Sequence, residues 1–157
     1  MIHPRSAIAI LTLSASALVG IAQWEDYRGE AYTPVPGDRP TIGFGATDGV
    51  KPGDKTTPPR ALVRLLADAN RFEGALRKCV SVPLHQHEYD AFVSTAYNIG
   101  STAFCGSTLV RKLNSRDYAG ACTEILRWTK FKGRELRGLV KRRQAEYRLC
   151  MGGTQDV

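Results

Sequence analysis

The sequence predicts an α+β fold, with a small β-bearing lobe followed by a larger helical lobe. Three observations carry that expectation. The stretch "EAYTPVPGDRPTIGFGAT" (30–47) is too rich in Pro and Gly for a helix and suits two extended arms about a tight turn. Beyond residue 57, apolar residues recur at helical spacing. Ahead of both lobes, Ala7 to Ala22 form an uncharged run.

Composition sets the limits. The 157 residues suit one domain with its own core. Charged residues make up 24% and apolar ones 43%, which places the body among globular chains. A formal net charge of +7 favours a polyanionic partner: nucleic acid, anionic lipid or bacterial wall polymer. No nucleic-acid recognition motif accompanies that charge, so nucleic acid is not the expected partner.

The first segment, 1–23, has the pattern of a leader. Arg5 stands before sixteen uncharged residues, of which seven are Ile, Leu or Val. As a helix this run would span about 24 Å at 1.5 Å per residue, short of a roughly 30 Å hydrocarbon core. Its seven strong apolar side chains supply only about −2 to −4 kcal/mol of insertion free energy. Three readings are open: a cleaved signal peptide using "ASA" at 15–17, a permanent anchor, or an uncleaved segment that inserts and later leaves. Such weak insertion favours the third.

The domain proper is expected at 24–157, divided into a β-containing lobe (24–57) and a helical lobe (58–157). Trp24 opens a short acidic turn, and the hairpin follows over Glu30 to Thr47. "TTPPRALVRLLADANRFEGALRKC" then offers a Thr cap, Pro in the first turn, and a stripe of Leu62, Leu65, Leu66 and Ala69. After Pro83, "LHQHEYDAFVSTAYNIG" places Tyr89, Phe92, Val93, Ala96 and Tyr97 on one face, with Gly100 as its stop. "STLVRKLNS", "DYAGACTEILRWTKF" and a basic last helix, "RELRGLVKRRQAEYRLC", complete the lobe.

The four cysteines, Cys79, Cys105, Cys122 and Cys150, form no C-x-x-C motif. His85 and His87 are two apart and so fall on different faces of a helix, and neither a metal nor another cofactor is expected. Behind an exported leader, an even count implies two disulfides. Of three possible pairings we expect Cys79–Cys150 with Cys105–Cys122.

The chemistry centres on Glu25. A carboxyl at the end of a short helix, facing a hairpin and shielded by aromatics, can hold a proton and give it to a glycosidic oxygen. An inverting glycosidase also needs a water on the opposite sugar face and a group to orient it. Asp38 in the turn and Thr41 on the second arm can supply that group. Alternatively, Glu25 and Asp26 are surface charges and Thr41 is an ordinary strand residue.

The order Glu25, "AYTP", a Gly-centred turn and "TIGFG" resembles the phage endolysins of the T4 lysozyme and lambdoid type. The likeness continues through "VPLHQHEYDAFVSTAYNIGSTAFCGSTLVRKLN" and "GLVKRRQAE", covering nearly all of 24–150. The resemblance implies a lysozyme-like fold and a muramidase that cleaves the β-1,4 bond between N-acetylmuramic acid and N-acetylglucosamine in peptidoglycan. It further implies Glu25 as catalytic acid, Thr41 as the water-orienting residue, and Tyr97 and Asn98 as residues lining the sugar cleft.

The sequence departs from the family pattern E-x(8)-D-x(5)-T in two ways. The middle position falls on Pro34, and Thr41 comes one residue late, which leaves Asp38 as the candidate for the middle role, with Thr33 as an alternative water ligand. Ala46 also replaces the His usual after "G-x-G". Either Arg142 or Arg143 can turn inward to pair with Glu25.

The leader resembles the signal-anchor-release segment of some of these endolysins. That implies export, tethering to the inner membrane, and release of a monomer into the periplasm when the potential collapses. Residues 1–22 contain no Cys, so thiol exchange within the leader is excluded as the switch. Two other readings remain: a lytic transglycosylase acting on the same bond, and a non-enzymatic cationic module that binds wall or membrane.

Overall fold

The computed structural model describes residues 3–154. Within them the leader is not one continuous helix. A 3-10 turn at Ile8–Ile10 leads to extended chain, and only then to helix α1 (Ala15–Trp24). Ser14 explains the break, because its hydroxyl accepts from the Ala17 N–H and caps α1. Leu11, Ala17, Ile21 and Ala22 are buried against the body.

The expected hairpin forms with somewhat different arms. Strand β1 (Arg28–Tyr32) runs antiparallel to β2 (Thr41–Gly43), with a bulge between the paired ends Arg28–Gly43 and Tyr32–Thr41. Gly43 sits where β2 crosses the next helix, and a Cβ there would lie 2.9 Å from that of Ala61. Only glycine permits that approach.

Helix α2 (Pro58–Cys79) links the lobes. Thr57 takes the N-cap position, and Pro58 and Pro59 occupy the first turn. Ala61, Leu65, Ala69 and Leu76 form its buried stripe. Leu66, expected in that stripe, is 41% exposed, because it lies one residue further round than the i, i+4 row.

Helix α3 (Gln86–Ile99) is the axis of the larger lobe, and every residue from Glu88 to Ala96 is buried. Tyr89, Phe92, Val93 and Ala96 face the core as expected, and Tyr97 is half-buried at the end of the row. A helix buried on all sides must satisfy its own polar residues. On one side the leader does this. Arg5 reaches Glu88 at 2.7 Å, and the Ser14 hydroxyl donates to Asp90 at 2.7 Å. On the other side, Ser94 and Thr95 donate to Glu146 near the chain end. The leader is therefore part of the folded lobe rather than a tail attached to it.

Three short helices, α4 (Ser101–Cys105), α5 (Thr108–Asn114) and α6 (Tyr118–Ile125), close the far side of the core. The last helix was expected from Arg134 but begins at Arg137, as α7 (Arg137–Cys150). A small hairpin precedes it, β3 (Lys130–Phe131) with β4 (Arg134–Glu135). Its two-residue turn has Lys132 and Gly133 at positive φ, 49° and 78°. Such a turn matches strand twist and stops a helix from starting there.

The disulfide pairing differs from expectation. Cys79 joins Cys105 and Cys122 joins Cys150, each with Cα atoms 5.6 Å apart. The reason is packing: the end of α2 meets α4, and α6 lies against α7. These bonds close loops of 26 and 28 residues, worth about 3–4 kcal/mol each by chain entropy. Reduction should lower the melting temperature by many degrees while leaving the chain folded at low temperature. Thermal scans with and without a reductant test this.

Candidate active site

A cleft of about 370 Å³ opens between the lobes, bordered by Glu25, Gly45, Thr47, Asp48, Asp68, Arg71, Phe72, Tyr97 and Asn98. Glu25 enters it because it is the C-cap of α1, where the chain leaves the helix with φ −101° and ψ 131°. The side chain is 25% exposed, so it is anchored on one side and open to the cleft on the other.

The anchor is Arg142. Its Nη1 donates to Glu25 Oε1 at 2.9 Å, and its Nε donates to Glu146 Oε1 at 3.1 Å. Arg142 is only 5% exposed and thus ties the leader's end to the core of α7. Glu25 Oε2 lies on the Gly45 side, where a Cβ at residue 45 would sit 3.6 Å from it. The turn carrying Gly45 is short: Ile42 and Ala46 exchange backbone hydrogen bonds at 2.9 and 3.0 Å.

Tyr97 and Asn98 come from the last turn of α3. Burial, followed by the negative charge of Glu25, holds the Tyr97 phenol well above its ordinary pKa. It stays neutral, and its ring packs against Phe72 with centroids 5.2 Å apart. Arg143 donates from Nη2 to Asn98 Oδ1 at 2.7 Å. Arg143 is fully buried, and desolvation lowers its pKa. Arg71 of α2 pairs with Asp48 of the β lobe at 3.2 Å, spanning one end of the cleft.

The structure thus brings Glu25, Tyr97 and Asn98 around one cavity. Asp38 and Thr41 do not border it. Asp38 closes an exposed turn in which its N–H donates to the Val35 carbonyl at 2.9 Å. Thr41 is buried at the start of β2, and its hydroxyl donates to the Arg39 carbonyl at 3.3 Å. On the sheet side, Gly45, Thr47 and Asp48 form the wall. Both arginines turn inward, Arg142 to Glu25 and Arg143 to Asn98, where one was expected. Glu146 stands four and three residues beyond them, a spacing that pairs charges on a helix.

Comparison with known proteins gives a consistent set of relatives. The family model described as phage lysozyme matches residues 22–146. An endolysin of Acyrthosiphon pisum secondary endosymbiont phage 1 is 43% identical over 85% of this chain and 94% of its own length. A SAR-endolysin of Pseudomonas phage phiKMV is 34% identical, covering 87% of each chain. The muramidase domain of SpmX from Asticaccaulis excentricus superposes with a TM-score of 0.84 at 30% identity. That match covers 90% of this chain and 98% of the other.

Proposed function

The chain belongs to the phage lysozyme family and is a peptidoglycan-hydrolysing endolysin, and from that premise we propose how its residues perform the chemistry. It cleaves the β-1,4 bond between N-acetylmuramic acid and N-acetylglucosamine, acting as a monomer without nucleic acid. Glu25 is the proton donor to the leaving glycosidic oxygen. The observation that carries this assignment is its placement: one carboxyl oxygen is held by Arg142, and the other is on the Gly45 side of an open cleft. Proton transfer needs that fixed, substrate-facing geometry.

The hairpin supplies the residues that orient water. Motif order supports Thr41, with Asp38 beside it in the turn. Thr47, which already borders the cavity, is the second candidate. Thr41→Ala should lower kcat about 10²-fold with little change in KM. Thr47→Ala should cost less than tenfold. Reversed values would move the role to Thr47.

The leader acts before catalysis. Residues 7–22, uncharged throughout, hold the exported chain at the inner membrane, and release lets them fold into the body in the periplasm. The SAR-endolysin relatives support this reading. No helix among the described residues is long and apolar enough to cross a membrane, so the inserted leader must straighten through the break at Ser14.

Digestion of purified wall in ¹⁸O-labelled water tests the reaction. Hydrolysis yields reducing muramic ends carrying one heavy oxygen. Unlabelled 1,6-anhydro ends would instead make the protein a lytic transglycosylase.

A further inference from the structure

Arg143 has no role in the chemistry described so far. It is fully buried, its Nε lies 3.2 Å from Glu146 Oε2, and its Nη2 lies 2.7 Å from Asn98 Oδ1. The contact with Glu146 is an ion pair rather than an aligned hydrogen bond, and neither Nε nor Nη1 has a hydrogen-bond partner among the described residues. Burying a guanidinium with a donor unpaired costs stability, and an apolar side chain of similar volume would avoid that cost. The arrangement therefore has to be explained by what Arg143 does to Asn98.

Every polar hydrogen-bonding atom of a guanidinium is a donor. The amide atom facing Nη2 must then be oxygen, and this orientation follows from chemistry rather than from an arbitrary assignment of O and N. With Oδ1 engaged, the amide NH₂ is the group left for the cleft, and it forms no hydrogen bond among the described residues. Glu146 keeps Arg143 in place and is itself held by Ser94, Thr95 and Arg142.

We propose that Arg143 is a positioning residue that locks Asn98 as a donor, so that the cleft selects the acetamido carbonyl of the wall glycan. Sugar hydroxyls both donate and accept, so they would tolerate either face of an amide. A carbonyl oxygen only accepts. The ammonium left when the acetyl group is removed only donates, so a fixed NH₂ discriminates for the N-acetyl group against it, whereas a freely rotating amide could turn its oxygen to either. This inference rests on the muramidase reading and adds a specificity device to it.

The test compares kcat/KM on intact wall glycan and on the same glycan after chemical de-N-acetylation. The wild type should prefer the acetylated substrate. Asn98→Ala should reduce that preference about tenfold, through a larger loss on the acetylated than on the de-acetylated substrate. Asn98→Asp keeps an oxygen for Arg143 but offers no NH₂. It should lose the same preference and gain on the de-acetylated glycan, whose ammonium groups its carboxylate attracts. Arg143→Lys should cost several-fold in the wild type and nothing further in an Asn98→Ala background.

Wild-type preference in Asn98→Asp, or an equal cost of Arg143→Lys in both backgrounds, would overturn the proposal. Asn98 is exposed at the end of α3, so its variants decide the question even if Arg143→Lys does not fold. A wild type that cleaves neither glycan would refute the muramidase reading instead.

Discussion

Replacing Glu25 by Gln is expected to slow lysis of chloroform-permeabilised Gram-negative cells by about 10²- to 10⁴-fold, the range for loss of a positioned general acid. Gln has nearly the same volume, and its amide oxygen can still accept from Arg142 Nη1, now 2.9 Å from the carboxylate. What it lacks is a proton to transfer. Arg142 keeps Glu146 as its counter-charge, so the stability loss should stay near 1 kcal/mol, a shift of a few degrees. The pairing of these two outcomes is diagnostic. A folded variant that lyses at the wild-type rate would remove Glu25 from the mechanism, whereas an unfolded one would make it a structural residue.

The largest stability effect is expected at Glu146. This carboxylate is 3% exposed and receives Ser94, Thr95 and Arg142 while pairing with Arg143. Glu146→Gln keeps the shape but leaves two buried guanidinium groups without their shared counter-charge. Breaking a buried pair in this way costs about 3–5 kcal/mol, against a total of about 5–15 kcal/mol for a typical domain. Ser94→Ala, which removes one hydrogen bond, should cost only about 1 kcal/mol. Denaturant titrations of both variants check the contrast. Equal, small losses would mean that the network is not the keystone of the α3–α7 interface.

The two variants together bear on how the site is built. Glu146 positions both arginines, and each arginine holds one cleft residue. Weakening Glu146 should therefore disturb Glu25 and Asn98 at once, although it touches neither. The surviving activity of Glu146→Gln should fall more than its folded fraction does.

Much of this was legible in the sequence. Proline and glycine mark the hairpin because they exclude helix, and the stripes of α2 and α3 follow from helical spacing. That Glu25, Tyr97 and Asn98 share one cleft was legible because they occupy element ends, which motif order locates well. The misses have physical causes. Disulfide partners depend on which helices touch, and spacing along the chain does not encode that. The Lys132–Gly133 turn is a weak signal embedded in a helix-like charge pattern. "KRR" looks like a solvated run, and only Glu146 at the right offset hints that Arg142 and Arg143 turn inward. Leucine 66 shows the limit of periodicity, which gives a stripe but not its exact width.

The leader is the most instructive case. Residues 7–22 are weak for a bilayer and weak for a core, and such a segment can serve in either place. In the folded chain its apolar side chains pack on α2 and α3, and its polar atoms complete the buried acids Glu73, Glu88 and Asp90. None of those acids reveals its leader partner in sequence, since those partners lie sixty or more residues away.

The central claim is that α1 belongs to the working site, because it delivers Glu25 to the cleft. Amide hydrogen exchange on released, full-length protein during wall digestion tests it most directly. We predict that Ala17 to Glu25 are protected to nearly the same degree as the buried centre of α3. Exchange at the rate of an unfolded peptide in a protein that still cleaves its substrate would contradict the account.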